Sequence, residues 1–156
     1  MATLTNRYPE STKYIMSCFG GDTGRWCHSC SICAKMYLML VASGIDPKLA
    51  GFEKNLLDRD KAHLFSIFGG QSGYQYLNTD TAFNEQLFNF ELAYKKGDRS
   101  ELTVKAHEQF INKEYDYDQL YDSYIPFKPA ITIQNDDRIN QLKEIHEEIE
   151  DEVFKV

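Results

Sequence analysis

The sequence predicts a mainly α fold: a helical domain built on a knot of four cysteines and followed by a C-terminal amphipathic helix. Three observations predict it. All four cysteines fall between Cys18 and Cys33, in the order C-x8-C-x2-C-x2-C. An almost wholly apolar stretch follows the last of them. Further along, apolar residues recur at steps of three and four, the spacing that lines one face of a helix.

Taken in order, Met1–Arg7 shows no periodicity and reads as an extended lead-in. Thr12–Ser17, with Tyr14, Ile15 and Met16, is expected to approach the cysteines as a short helix or strand end. Ser31–Ser43 reads as a helix with almost no polar face, because Ile32, Met36, Tyr37, Leu38, Met39, Leu40 and Val41 surround it. A helix apolar all round must be buried on every side or covered by a partner. Gly44 supplies its stop, and Pro47, with Asp46 as cap, opens a short helix over Pro47–Phe52. Asp58 or Asp60 is expected to cap another helix running through Phe68, with Leu64, Phe65, Ile67 and Phe68 inward and Gly69–Gly70 at its end. Gln71–Asn78 reads as a loop.

Thr79 or Asp80 then caps a long helix to Lys96, in which Phe83, Leu87, Phe90 and Tyr94 share a face and Gly97 terminates. An aromatic stripe at this spacing belongs to a core rather than to a ligand box. Ser100 and Glu101 begin the next helix, carrying Leu102, Ala106, Phe110 and Ile111 and ending near Lys113. Glu114–Ile125 sets Tyr115, Tyr117, Tyr121 and Tyr124 among acids, either as a wet edge packed on the core or as a partner-docking surface. Pro126–Pro129 breaks structure, and Ile131–Ile133 is a short strand or extended linker. Asp136–Val153 is a helix with a narrow stripe of Ile139, Leu142, Ile145, Ile149 and Val153, a seam that packs on its own domain or on a second chain. These boundaries give a cysteine-knot domain over residues 1–125 and a linker with an acidic amphipathic helix over 126–156.

The cysteines carry the chemistry. Four thiolates suit one tetrahedral Zn²⁺. A C-x2-C pair turns the chain back on one ion, and here Cys27–Cys30 and Cys30–Cys33 overlap. Cys33 stands at a helix start, where N–H groups and the macrodipole favour anionic sulfur. Gly20, Gly21 and Gly24 let the chain bring Cys18 back as the fourth ligand. The predicted metal ligands are therefore Cys18, Cys27, Cys30 and Cys33. Free buried thiols, disulfides and an iron–sulfur cluster are the rival readings. The run C-x2-C-x2-C also occurs in ferredoxins, but there a cysteine and a proline follow, whereas Ala34-Lys35-Met36-Tyr37 follows here. Zinc is the expected cofactor and an iron–sulfur cluster the alternative. A site closed by four cysteines has no open position for a catalytic water. His28 is expected to face solvent rather than ligate. Trp26 is either a lid over the thiolates or a stacking surface.

Ser17-Cys18-Phe19-Gly20-Gly21, Trp26-Cys27, Cys30 and Cys33-Ala34-Lys35 ahead of an apolar helix resemble the C-terminal zinc-binding part of PP-loop ATP pyrophosphatases of the N type. Within that group the order is similar to 7-cyano-7-deazaguanine synthases. It is closer to muramyl-peptide glutamate epimerases, through Trp26, the helix from Ala34 to Ala42 and Phe68-Gly69-Gly70. The resemblance spans roughly residues 8 to 110 and rests mainly on the cysteines. It implies a zinc clamp beside the pocket of an enzyme that adenylates its substrate with ATP. The family's phosphate-binding S-G-G-x-D-S loop has no counterpart in this sequence; Gly20-Gly21-Asp22-Thr23 and Gly69-Gly70-Gln71-Ser72 lack the apolar strand that precedes it. The resemblance therefore implies a chain not catalytic alone, whose partner carries the ATP-binding domain, in another chain or upstream of Met1. The alternative is a freestanding zinc-stabilised interaction adaptor without catalytic activity.

Composition sets the remaining bounds. At 156 residues and 42% hydrophobic, the chain suffices for one sizeable core. No apolar run approaches the ~20 residues that span a bilayer, and no targeting segment is visible, so the expectation is a cytoplasmic chain with no membrane contact. The net charge of −7 is uneven: residues 1–70 carry 8 basic and 6 acidic side chains, residues 71–156 carry 9 and 18. The acidic half repels phosphate backbones, which argues against nucleic acid as its partner. Self-association through the C-terminal helix is the other partner expected. His28, His63, His107 and His146 are scattered, and no nucleophile–base constellation stands out. Asp58 with Asp60, and Asp116 with Asp118, read as caps and solvated turns.

Overall fold

The computed structural model describes residues 8–18, 25–111, 113, 115–128 and 136–154. The expected lead-in Met1–Arg7, the loop glycines Gly20, Gly21 and Gly24, and the segment Ile131–Ile133 lie outside them. Within the described residues the chain is mainly helical, with no strand. None of its helices is long and apolar enough to cross a membrane.

Among the described residues five α-helices form the frame: α1 (Ser31–Ala42), α2 (Asp80–Lys95), α3 (Glu101–Phe110), α4 (Tyr117–Tyr124) and α5 (Asp136–Ile149). The apolar girth of α1 has a plain cause. Ala34, Leu38 and Ala42 face a large core shared with α2, α3 and α4. Cys33 and Leu40 face a smaller cluster with Cys18, Trp26, Ala50, Phe52 and Leu56. The helix is a wall between two hydrophobic clusters, so both sides need apolar residues, and Met36, Tyr37, Met39 and Val41 between them stay half-buried.

The larger core is built on α2, where Leu87, Phe88, Phe90, Leu92 and Ala93 are buried. The Thr79 hydroxyl caps α2 by accepting from Ala82 N at 3.2 Å. Gly97, at φ 96°, ends the turn after it. Lys35 of α1 reaches Glu85 of α2 at 2.8 Å. The tyrosine-rich segment packs on this core: Tyr117 stacks on Phe88 with ring centroids 5.7 Å apart, and Tyr124 Oη donates to the Thr81 carbonyl at 2.9 Å. The Asp116 side chain caps α4 at the Asp118 N–H.

Several expected elements differ. The helix expected from Asp58 or Asp60 to Phe68 is two 3₁₀ segments, Arg59–Leu64 and Ser66–Phe68, parted by Phe65 in extended conformation. No side chain caps the first segment; Asp58 instead accepts from Asn55 at 2.8 Å. The N–H of Ile67 points to the buried Gln86 amide oxygen, 3.4 Å away. Gly70 N returns to the Phe65 carbonyl at 3.0 Å. Gly70 is obligatory here, since a Cβ would lie 2.3 Å from the His63 carbonyl oxygen. Pro47–Ala50 is likewise a 3₁₀ turn, capped by Asp46. The loop from Gln71 contains a 3₁₀ turn over Gln75–Asn78. The helix begun at Glu101 ends at Phe110, short of Lys113, and the last helix ends at Ile149, where a π-helical turn, Glu150–Phe154, takes over.

Candidate metal centre

The chain reaches the centre from two sides. Pro9–Tyr14 forms a 3₁₀ turn, and extended residues then carry Cys18 inward. Arg25 ties the two approaches together by donating from Nη2 to the Ile15 carbonyl at 2.9 Å. Beyond it, Cys27 to Cys30 form a tight turn, and Cys30 is the N-cap of α1. Its sulfur accepts from the Cys33 N–H at 3.4 Å, and its carbonyl accepts from Ala34 N at 3.1 Å. A cysteine sulfur at this helix start takes the place a serine or aspartate side chain usually holds.

The four sulfurs lie within 4.8 Å of one another, a group that could hold a metal ion. Cys27 and Cys33 are 3.6 Å apart, and Cys18 and Cys30 are 4.0 Å apart. Zn–S bonds near 2.3 Å in a tetrahedron give sulfur–sulfur edges of about 3.8 Å. The donor set therefore fits one small ion in size and in number. The disulfide reading fails on the same distances, because a bonded pair sits near ~2.05 Å and all four cysteines are free. Cys18 and Cys33 are buried, while Cys27 and Cys30 are partly exposed.

Backbone geometry supports the sulfurs. His28 adopts φ 56°, the left-handed conformation that a non-glycine residue adopts at a tight turn. This aims the His28 N–H at the Cys33 sulfur. The hydroxyl and N–H of Ser29 serve Cys27. Burial works against ionisation of Cys27, yet the hydrogen bonds from Ser29, together with those from Cys30 and Cys18, outweigh it and draw the thiol down to about 6. Burial pushes Cys30 and Cys33 the other way. Four sulfurs this close cannot all carry charge without a cation among them.

The imidazole of His28 takes no part in the sulfur group. Its Nε2 accepts from the Glu53 N–H at 3.1 Å, which fastens the turn to the segment after Gly51. Trp26 is a lid rather than a stacking surface: it is buried, its Nε1 donates to the Ala50 carbonyl at 2.7 Å, and its ring lies 4.3 Å from that of Phe52. Tyr37 meets the same phenylalanine edge-on at 5.3 Å.

One polar pair escapes sequence reading. Glu91, on the buried face of α2, meets His107 Nδ1 of α3 at 2.7 Å. Tyr94 stacks on that imidazole with centroids 3.7 Å apart, and Arg99 lies 4.1 Å from the Tyr94 ring. A charged residue inside an apolar stripe is the signal that could have flagged it.

The chain matches no family model, no curated protein and no solved structure at a significant level.

Proposed function

We propose that this chain is a zinc-stabilised helical interaction module, in which Cys18, Cys27, Cys30 and Cys33 hold one structural Zn²⁺. The observation that carries the reading is the pair of sulfur edges, 3.6 and 4.0 Å, at the capped start of α1. Zinc is favoured over an iron–sulfur cluster because a cluster would spread its cysteines around several irons, wider than the 4.8 Å seen here. A set closed by four thiolates leaves no coordination position for water, so the metal's work is to hold the fold. The site joins residues distant in sequence into the smaller core cluster, and metal binding there is folding energy.

The test is metal analysis and thermal melting of protein made in medium supplied with both zinc and iron. About one zinc per chain, a colourless solution and a melting transition that collapses on chelation are expected. Stoichiometric iron with visible absorption, or a melting curve indifferent to complete metal removal, would overturn the reading.

A second reading is favoured by the order of the cysteines ahead of an apolar helix. In it the chain is a zinc-bearing module or subunit of a PP-loop enzyme, and a partner carrying S-G-G-x-D-S supplies ATP-dependent adenylation. Co-expression with such a partner encoded beside this chain would then give a complex that releases pyrophosphate from ATP. A partner that neither binds this chain nor needs it for turnover would remove this reading and leave the first.

A further inference from the structure

The four cysteines differ in how far they are enclosed, and the difference is arranged in pairs. Cys18 and Cys33 are buried, whereas Cys27 and Cys30 are partly exposed. Each partly exposed cysteine has a buried one as a close neighbour. The Cys27 and Cys33 sulfurs are 3.6 Å apart, and those of Cys30 and Cys18 are 4.0 Å apart. These contacts join residues six and twelve positions apart rather than the C-x2-C neighbours. A disulfide needs its sulfurs at about 2.05 Å, so each pair has to close by only about 2 Å. Oxidants select a cysteine sulfur by its thiolate character and its exposure. The arrangement therefore sets a reachable sulfur beside a sheltered one, twice.

We propose that the sulfur group is also a reversible redox switch. A hydroperoxide oxidises the partly exposed Cys27 and Cys30, the buried Cys33 and Cys18 resolve them, and the metal leaves as the Cys27–Cys33 and Cys18–Cys30 disulfides form. This rests on the zinc-module reading and names the regulation of that same site. In the first step the Cys27 thiolate attacks one peroxide oxygen. The O–O bond breaks, hydroxide departs, and Cys27 becomes a sulfenic acid. The Cys33 thiolate then attacks the Cys27 sulfur. The S–S bond forms, the S–O bond breaks, and a second hydroxide departs. Two thiolates have lost two electrons, and one peroxide with two protons has become two waters. The same steps at Cys30 and Cys18 consume a second peroxide. A disulfide offers the ion no thiolate, so Zn²⁺ is released. Metal binding here is folding energy, and its loss is felt in the smaller core cluster, where Trp26 and Phe52 pack with the sulfurs. A dithiol reductant reverses both bonds by thiol–disulfide exchange.

The unmodified full chain tests it. Zinc is measured first, and hydrogen peroxide is then added at neutral pH with a chromogenic chelator present. A parallel sample contains dimedone, which traps sulfenic acids. Disulfides are located by stepwise alkylation and peptide fragmentation. The expected result is a fall from about one zinc per chain to none. It comes with Cys27–Cys33 and Cys18–Cys30 bonds, dimedone on Cys27 and Cys30 only, and full recovery of zinc binding after dithiothreitol and added zinc. Zinc retained through the peroxide treatment would overturn the proposal. So would a Cys27–Cys30 or Cys30–Cys33 bond, dimedone on Cys18 or Cys33, or a loss that the dithiol does not restore. The first zinc measurement separates the two readings. Protein without zinc that still forms the two named bonds sinks the zinc assignment alone, and zinc-loaded protein that keeps its metal or forms other bonds sinks the switch alone.

Discussion

Cys33 is fully buried and Cys27 is not, yet both belong to one donor set, so their substitutions should fail alike. A serine hydroxyl is a poor ligand for zinc at neutral pH. Cys33→Ser and Cys27→Ser are each expected to lose the metal and to lower the melting temperature by roughly 10 °C, the equivalent of about 3 kcal/mol in a chain of this size. Metal content and thermal melts check this, and a variant that keeps both would show that its sulfur is not a ligand. Alkaline titration reads a second set of residues. Burial first, then nearby carboxylates, pushes Tyr37 and Tyr117 up to about 12. Tyr121 and Tyr124 shift in the same direction, Tyr121 through burial and its bond to Glu150. A phenol whose folded value lies above its unfolded value of about 10 contributes stability that is whole below that pH and lost as pH rises through the folded value. Phenolate absorbance should therefore rise in two stages, the later one accompanied by unfolding. A single stage near pH 10 would contradict the packing of these rings. At this scale the cysteines were legible because their spacing is local. The left-handed His28 was not, since glycine is the residue that usually announces that conformation.

At the scale of elements, α1 and α2 were legible for opposite reasons. Helix α1 betrayed itself by having no polar face, and the structure gives that a cause in the two clusters it separates. Helix α2 showed regular spacing, a threonine cap and a glycine stop. The segment Arg59–Phe68 departs from the expected α-helix because its apolar residues satisfy a helical count while its hydrogen bonds go elsewhere, to Gln86 and back to Phe65. In long-range polar pairings of this kind the local sequence can flag a buried polar residue but not the partner it meets. The buried Glu91–His107 pair between α2 and α3 is another, and it carries a prediction. His107→Ala strands a buried carboxylate and should cost about 3 kcal/mol in urea unfolding. Replacing both partners together, as Glu91→Leu/His107→Phe, should cost far less, because a matched apolar pair leaves no orphaned charge. If the single and double variants are equally destabilised, the pair is not what holds these helices in register.

The whole molecule is organised as two hydrophobic clusters sharing the α1 wall, with the four sulfurs grouped at the smaller one. The C-terminal half brings the acidity; the cysteine half brings a group of four sulfurs that could hold a metal ion. The mainly helical class was readable from periodicity and composition, while the division into two clusters was not, because it depends on which face of α1 meets which distant segment. The most direct measurement is X-ray absorption at the metal edge of the purified full-length chain. The account predicts a zinc edge with four sulfur neighbours at about 2.3 Å and no lighter ligand. An iron edge with metal–metal scattering, or a zinc shell containing nitrogen or oxygen in place of a sulfur, would contradict it.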